Sequence, residues 1–490
     1  MVAIRVVRRR SRRVGTAKKL NSKPHIPDHL TVVLRELYKI GRPRLVGGCV
    51  RDALLGIPCE DIDIEVKGVS FDELSGALRK FGATDVVGRS FGTIKLRMRD
   101  QTYDFSLPRR ESKTGAGHRG FKADPDPDLS DRDAASRRDF TINSMAWDPQ
   151  EETLIDPFHG KQDLENRILR HTSQAFVEDP LRVLRAMQLA ARFDLQLAPE
   201  TAELGKSMSP LYRELSLDRV WGEWDKWATR SIKPSRGLQV LHSTEWLGHF
   251  PEIAALEDTP QDPEWHPEGD VLTHTACCLD ALVKSPHWLE STPARRRILS
   301  FAVLAHDLGK PATTELVEKA GRARWISPRH AHEGLRPTES LLERIKAPHV
   351  VAPSVLPLVK FHLAHHSNQN DVPSDAQIRR LARKLSPASV DDLCEVMLAD
   401  ARGRPPRRDP ELLTMIEALR IRATELDLQD RAPKPIVQGR PLLARGLKPG
   451  PSFSPILQEA FEAQLDGAFF DEDGSSKWLD SRLRSRTDSD

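Results

Sequence analysis

Apolar and polar residues alternate singly in several short stretches of the first third of the chain. Such alternation predicts half-buried strands, because successive strand side chains point to opposite faces. It is found at residues 44–47, 61–66, 93–97 and 102–106, and more weakly at 85–88. Between them, apolar residues recur every three or four positions at 29–40, 50–55 and 71–80, the spacing of one helix face. The first third therefore reads as a small mixed sheet with helices packed on it. From Asp163 onward the helical spacing dominates, over 180–193, 217–229, 273–282, 294–306, 333–345, 355–365 and 391–401. The predicted class is α+β, a mixed-sheet head followed by a mostly α-helical body. A Pro- and acid-rich stretch, 258–270, reads as a linker between two helical units. A turn-rich stretch, 432–454, precedes a last helix at 455–465, and the Ser/Arg-rich end after Asp471 reads as a mobile tail. No repeat of fixed period is visible.

A length of 490 residues implies several domains. With 39% hydrophobic and 30% charged residues and no apolar run of membrane-spanning length, the composition fits a water-soluble protein with no membrane partner. The net charge of +3 says little about partners, but its distribution says more. The segment before residue 24 carries Arg5, Arg8, Arg9, Arg10, Arg12, Arg13, Lys18, Lys19 and Lys23 and no acid. Residues 1–27 read as a disordered basic arm, either binding phosphate backbones or simply solvated. The arm lacks the apolar core of a secretory leader. The five cysteines show no metal-ligand spacing and read as buried thiols of a reducing, cytoplasmic compartment.

The densest chemistry lies between Leu45 and Glu65. Asp61 and Asp63 alternate with Ile62, Ile64 and Val66, so the two carboxylates share a strand face. Like charges so placed call for a cation, and Mg²⁺ favours one or two carboxylates together with phosphate oxygens. Upstream, Gly47-Gly48 before a helix offers backbone N–H groups and a helix N-terminus to a triphosphate. Asp104, on a strand expected to form a hairpin with 93–97, is the candidate third carboxylate of a two-metal site. Arg137 and Arg138 suit a triphosphate or ribose contact, because guanidinium forks match phosphate oxygens. The Gly-rich basic stretch 109–121 reads as a mobile loop beside the site. Asp179 and Arg182 stand three apart at a helix start marked by Pro180. A carboxylate beside a guanidinium can copy the hydrogen-bonding edge of a base, selecting a nucleotide without a template.

In order, Gly47-Gly48-Cys49-Val50-Arg51-Asp52, Asp61-x-Asp63, Arg137-Arg138-Asp139, Ile155-Asp156-Pro157-Phe158, Glu178-Asp179-x-x-Arg182 and Leu217-Asp218-Arg219-Val220 resemble the motifs of the class II tRNA nucleotidyltransferases. That family holds the CCA-adding enzymes and the bacterial poly(A) polymerases. The resemblance is dense over residues 40–230. It implies that Asp61 and Asp63 hold Mg²⁺, beside the candidate third catalytic acid Asp104. It also implies nucleotide binding by Gly48, Arg51 and Arg138 and base selection by Asp179 and Arg182, with Arg185 nearby; Gly47, Asp52, Asp139 and Asn143 complete the expected nucleotide-binding set. Gln188 stands where bacterial relatives usually carry an arginine.

In the helical body, His306-Asp307-Leu308-Gly309-Lys310 resembles the HD phosphohydrolase superfamily. The resemblance maps metal ligands to His274, His306, Asp307 and Asp400, residue types suited to a second divalent metal of the transition series. His330, His332, His362, His365 and His366 enrich the same region, with His332 and His362 as candidates for a further metal or a phosphate. The stretch from Trp265 to His274 also resembles the multifunctional CCA proteins, which join both modules.

The expected division is 1–27 arm, 28–162 nucleotidyltransferase head, 163–257 helical neck, 258–408 HD domain and 409–490 C-terminal region and tail. The C-terminal region is expected to contact the tRNA acceptor arm. The expected function is template-independent addition of CCA to the tRNA 3′ end from CTP and ATP, with an HD phosphohydrolase activity. The alternatives are partial CC or A addition, poly(A) synthesis, a phosphohydrolase with a vestigial head, and a non-catalytic RNA-binding protein.

Overall fold

The computed structural model describes residues 23–59, 61–87, 92–113, 121–319, 321–364 and 373–487. Two compact units emerge. One comprises Met1–Arg182 with Leu195–Met208, the other Val183–Asp194 with Ser209–Asp490.

The first unit is built on a seven-stranded sheet among the described residues, ordered β3-β4-β5-β2-β1-β8-β9. The strands are β1 Arg42–Val46, β2 Asp63–Lys67, β3 Ala83–Val87, β4 Thr93–Met98, β5 Gln101–Ser106, β8 Ala146–Asp148 and β9 Thr153–Ile155. A separate hairpin, β6 Arg109–Lys113 and β7 Phe121–Pro125, follows β5. The expected loop over 109–121 is thus corrected at both ends, where backbone pairing replaces it; residues 114–120 lie outside the described residues.

The sheet is mixed, as expected. β1 and β2 are antiparallel with Val46 opposite Asp63, whereas β2 and β5 are parallel with Asp63 opposite Asp104. β4 and β5 form the expected hairpin, with Lys95 opposite Asp104. Leu45, Ile64, Val66, Ile94, Leu96 and Phe105 are fully buried, as are Leu30, Val33 and Leu37 of helix Asp28–Leu37 and Leu74 and Leu78 of helix Phe71–Leu78. That second helix begins with a reciprocal cap between Ser70 and Glu73. The core is thus the apolar face of the alternation, and burying it fixes the register that sends Asp63 and Asp104 to the other side. Glu65, on the same strand as Asp63, is buried against Arg137 at 3.2 Å.

Among the described residues, the second unit is almost entirely helical apart from one hairpin, Glu315–Lys319 with Arg322–Ile326. Trp224, Trp227, Trp246, Phe250 and Phe301 fill part of its interior, meeting edge-on or tilted. Two expectations are corrected here. Residues 258–270 are folded structure rather than a linker: Asp270 caps helix Val271–Leu282 through Thr273 N–H at 2.9 Å and accepts from Asp258 N–H at 2.9 Å. The expected tail after Asp471 forms helix Glu472–Thr487. Its Leu479 is fully buried with Phe469, Ile456 and Ala460, and Arg445 anchors Asp480 at 2.6 Å.

Candidate functional site

In the first unit, Asp63 begins β2 and Asp61 lies two residues before it, both exposed; Asp104 sits beside Asp63 on β5. Lys95 Nζ donates to both Asp104 oxygens at 2.9 Å. The Asp63 carboxyl is raised above its ordinary range, first by desolvation and then by the charges of Asp104 and Asp61, with Arg138 and Lys95 opposing. The carboxylates therefore form a cluster whose ionisation a cation would stabilise.

Gly47 ends β1 with φ +79°, a conformation that favours glycine. A Cβ there would lie 2.9 Å from Arg138 Nη1, so the missing side chain lets the guanidinium lie against the turn. Burial and the adjacent Arg137 lower the Arg138 pKa, against the pull of Glu65, Asp63 and Asp139, as befits a desolvated cation suited to an anionic ligand.

Arg51, Asp52, Asp139 and Asn143 are buried beneath this turn. Arg51 Nε donates to Asp52 Oδ1 at 2.8 Å and its Nη1 to Asn143 Oδ1 at 2.5 Å. Asn143 Nδ2 in turn donates to Asp139 Oδ1 at 3.0 Å, which also takes the Phe140 N–H at 2.8 Å. These four expected nucleotide-binding residues thus form a network that braces Gly47, Gly48 and Arg138.

Asp179 caps the start of helix Leu181–Phe193, accepting the Leu181 N–H at 3.1 Å. Arg182 donates to the carbonyls of Ala175 and Arg137, each at 2.7 Å, so both of its Nη groups are held by backbone. Arg185 lies one turn further along that helix, in the second unit. Gln188 is buried, with its Oε1 lacking a hydrogen-bond partner among the described residues.

The second unit brings His274, His306, Asp307 and Asp400 together, all 4% exposed or less. The imidazoles share one orientation. His306, His330 and His362 each place Nδ1 2.7 Å from a backbone carbonyl, of Val303, Ser327 and Val359 respectively. A carbonyl only accepts, so Nδ1 carries the hydrogen and Nε2 faces inward. In His330 and His362, whose pKa burial lowers, Nε2 presents a lone pair. Against burial, Asp307 raises His306 to about 10, so that its Nε2 holds a proton until a metal displaces it. His274 is oriented in the same way, with Nδ1 2.7 Å from Glu268 Oε1. The Nε2 atoms of His330 and His362 then stand 3.3 Å apart, and His306 Nε2 has no hydrogen-bond partner among the described residues. Lone pairs converging at this distance repel unless a cation lies between them, and histidine–carboxylate contacts of the Glu268 kind orient metal-binding imidazoles.

The donors fall into overlapping groups. His274, Cys278, His306 and Asp400 form one, Asp307, His330 and His362 another, and His266, Glu268 and His274 a third, with ligand atoms within 4.8 Å in each. Asp307 Oδ2 lies 3.2 Å from His306 Nε2, and its Oδ1 3.3 Å from His330 Nε2, so its carboxylate faces both of the first two groups. Burial would raise Asp307, but His306 and Lys310 hold it well below the carboxylate range. Burial also works against Asp400, which Arg404 and His274 hold low. His362 is pushed down to about 3 by burial and by the charges of His306 and His330, which keeps its ring neutral. A cavity of about 320 Å³ opens onto Asp307, His330 and His362, and its wall includes Lys310, Arg404 and Trp265. Two cations and an indole beside a floor of candidate metal ligands suit a phosphate ester.

His332, expected as a candidate ligand, is exposed, and His330 takes its place; His365 and His366 lie outside the described residues. Glu268, His266 and Cys278 were not expected. The first two lay in the supposed linker, where the spacing His266-x-Glu268…His274 was the available signal.

Residues 43–170 match the poly(A) polymerase head domain family. The chain is 36% identical over 394 residues to the multifunctional CCA protein of Acinetobacter baumannii strain ATCC 17978, covering 77% of this chain and 89% of that protein. The chain belongs to the multifunctional CCA protein family. A second member of the family, from Laribacter hongkongensis, is 38% identical over 373 residues, covering 74% of this chain and 85% of that protein. Solved structures agree in fold with this multifunctional CCA family chain. The Bacillus stearothermophilus CCA-adding enzyme in complex with CTP aligns with TM-score 0.63 at 22% identity, over 95% of this chain and 100% of that one. The Thermotoga maritima CCA-adding enzyme complexed with tRNA aligns with TM-score 0.58 at 19% identity, over 94% and 97%. No helix among the described residues is long and apolar enough to cross a membrane.

Proposed function

We propose that this chain adds C, C and A to the 3′ end of tRNA, taking the nucleotides from CTP and ATP without a template. The observation that carries the reading is the pairing of Asp63 with Asp104 at one level of adjacent strands, beside the Gly47 turn and Arg138. Asp61 and Asp63 hold Mg²⁺, with Asp104 as the third acid. When bound, the metal lowers the pKa of the attacking 3′ hydroxyl and neutralises charge on the departing pyrophosphate. Until then Lys95 balances Asp104. The backbone of Gly47 and Gly48 and the Arg138 guanidinium receive the triphosphate, on the brace made by Arg51, Asp52, Asp139 and Asn143. Asp179 and Arg182 present an acceptor and a donor to the base, and Arg185 is a further expected nucleotide contact. Arg182 is suited to selection because two backbone carbonyls fix its guanidinium. tRNA is recognised by backbone contacts and shape, as is usual for folded RNA.

The histidine-rich centre supplies a second function. His274, His306, Asp307 and Asp400 hold a divalent transition metal, and Lys310 and Arg404 receive the phosphate of an ester that is hydrolysed there. The convergence of four inward-facing Nε2 atoms on buried carboxylates favours this reading.

Labelled CTP and ATP, offered with tRNA lacking its last three nucleotides, test the first function. Incorporation should occur with Mg²⁺ and vanish in Asp63→Ala; absence of incorporation by the intact chain would reject it.

A further inference from the structure

We propose that Trp265 and Trp325 form an aromatic subsite of the histidine-rich centre, which selects phosphate esters whose alcohol carries a flat ring such as a nucleobase. The inference rests on the phosphohydrolase reading of that centre and adds to it the residues that recognise the alcohol. Both indoles line the cavity that opens onto Asp307, His330 and His362. An indole gains most from burial, yet Trp265 stays 43% exposed. Arg407 covers one of its faces, with the guanidinium carbon 4.2 Å from the ring centroid. The exposure therefore belongs to the other face and the ring edge, which are left for a ligand to cover. Trp325, half-buried, gives the same cavity a second aromatic wall.

Each ring is carried by a short segment that also orients a histidine of the floor. Trp265 stands in a turn closed by the Asp262 carbonyl, which accepts from Trp265 N–H at 3.1 Å and His266 N–H at 2.8 Å. Asp262 Oδ1 accepts the Glu264 N–H at 3.0 Å. The next residue, His266, donates through Nδ1 to Glu268 Oε1 at 2.9 Å, the same oxygen that orients His274. Trp325 lies on hairpin strand Arg322–Ile326, and its neighbour Arg324 ties that hairpin to the turn. The Arg324 guanidinium is 2.7 Å from Glu264 Oε2 and 3.6 Å from Asp262 Oδ2. Two residues after Trp325, the Ser327 carbonyl accepts from His330 Nδ1 at 2.7 Å. The indoles are thus held in fixed relation to the floor and to Lys310 and Arg404, which line the same cavity. With the phosphate on these cations, the alcohol reaches the indoles, where a flat ring stacks and a small alkyl group does not.

The test uses the full-length protein loaded with cobalt(II) and two esters of secondary alcohols, adenosine 2′-phosphate and glycerol 2-phosphate, which differ in the base. The wild-type chain should hydrolyse both, with a KM for the adenosine ester lower by roughly tenfold or more. Trp265→Ala should bring the two KM values together, Trp265→Phe should restore most of the gap, and Trp325→Ala should narrow it. A reading independent of turnover is calorimetric binding of adenosine 2′-phosphate to the metal-stripped chain, which Trp265→Ala should weaken by roughly tenfold. Hydrolysis of both esters with equal KM, or a gap that survives in Trp265→Ala and Trp325→Ala alike, would overturn the subsite and leave the phosphohydrolase reading standing. Binding that depends on Trp265 with neither ester hydrolysed would overturn the phosphohydrolase reading and leave the subsite. Absence of both binding and hydrolysis would overturn both.

Discussion

Asp63 and Asp104 are register partners on neighbouring parallel strands, and Asp104 is at the same time the cross-strand partner of Lys95. One sheet level thus carries two carboxylates and a lysine, with Asp61 two residues before Asp63, ahead of the strand. Replacing Asp63 or Asp61 by Ala should lower nucleotide addition by several kcal/mol of transition-state stabilisation, roughly 10³-fold or more, with unchanged thermal unfolding. Single-turnover incorporation and differential scanning calorimetry together check this. Asp104→Asn should act in the same direction but respond partly to added Mg²⁺.

Gly47 sits at φ +79° with Arg138 against it. Gly47→Ala should cost about 1–2 kcal/mol in backbone strain and displace the guanidinium. The expected signature is a raised KM for both CTP and ATP, with tRNA binding unaffected, read from steady-state kinetics and a filter-binding assay.

Arg182 is fixed by the carbonyls of Ala175 and Arg137. Arg182→Ala should loosen base choice more than it slows chemistry. Sequencing the 3′ ends formed from an equimolar mixture of four nucleoside triphosphates should reveal misincorporated G and U in the variant and none in the wild-type chain.

In the second unit, Glu268 holds the His274 ring through Nδ1. Glu268→Gln should weaken metal binding by roughly 10–100-fold, as measured by competition with a chelating dye. Asp307→Asn should abolish phosphate-ester hydrolysis while CCA addition persists, because the two centres share no residue.

Gly403 marks a close approach of two helices over Cys278. Gly403→Ala should overpack this contact, costing about 1–3 kcal/mol in a denaturant titration.

The sheet core was legible because alternation is strict where one face is buried: Ile62, Ile64 and Val66 announced β2, and Asp63 followed. β8 and β9 escaped because three-residue strands carry no period. Helix Glu472–Thr487 escaped because its polar composition hides the few anchors, such as Leu479, that attach it. His274, His306, Asp307 and Asp400 were legible through the His-Asp pair. Glu268 was not, because a Pro- and acid-rich composition reads as a linker when its acids are in fact caps and hydrogen-bond partners. His330 displaced His332 for a geometric reason invisible in one dimension. Its Nδ1 meets the Ser327 carbonyl, which turns Nε2 inward, whereas His332 points to the surface.

The most direct test is the product ladder formed on tRNA lacking CCA, resolved nucleotide by nucleotide, with CTP alone, ATP alone and both together. Template-free selection by a fixed Asp179–Arg182 pair predicts addition of two C with CTP alone, and of C, C and a single A followed by a stop with both. A long adenosine tail, or no extension under any of these conditions, would contradict it.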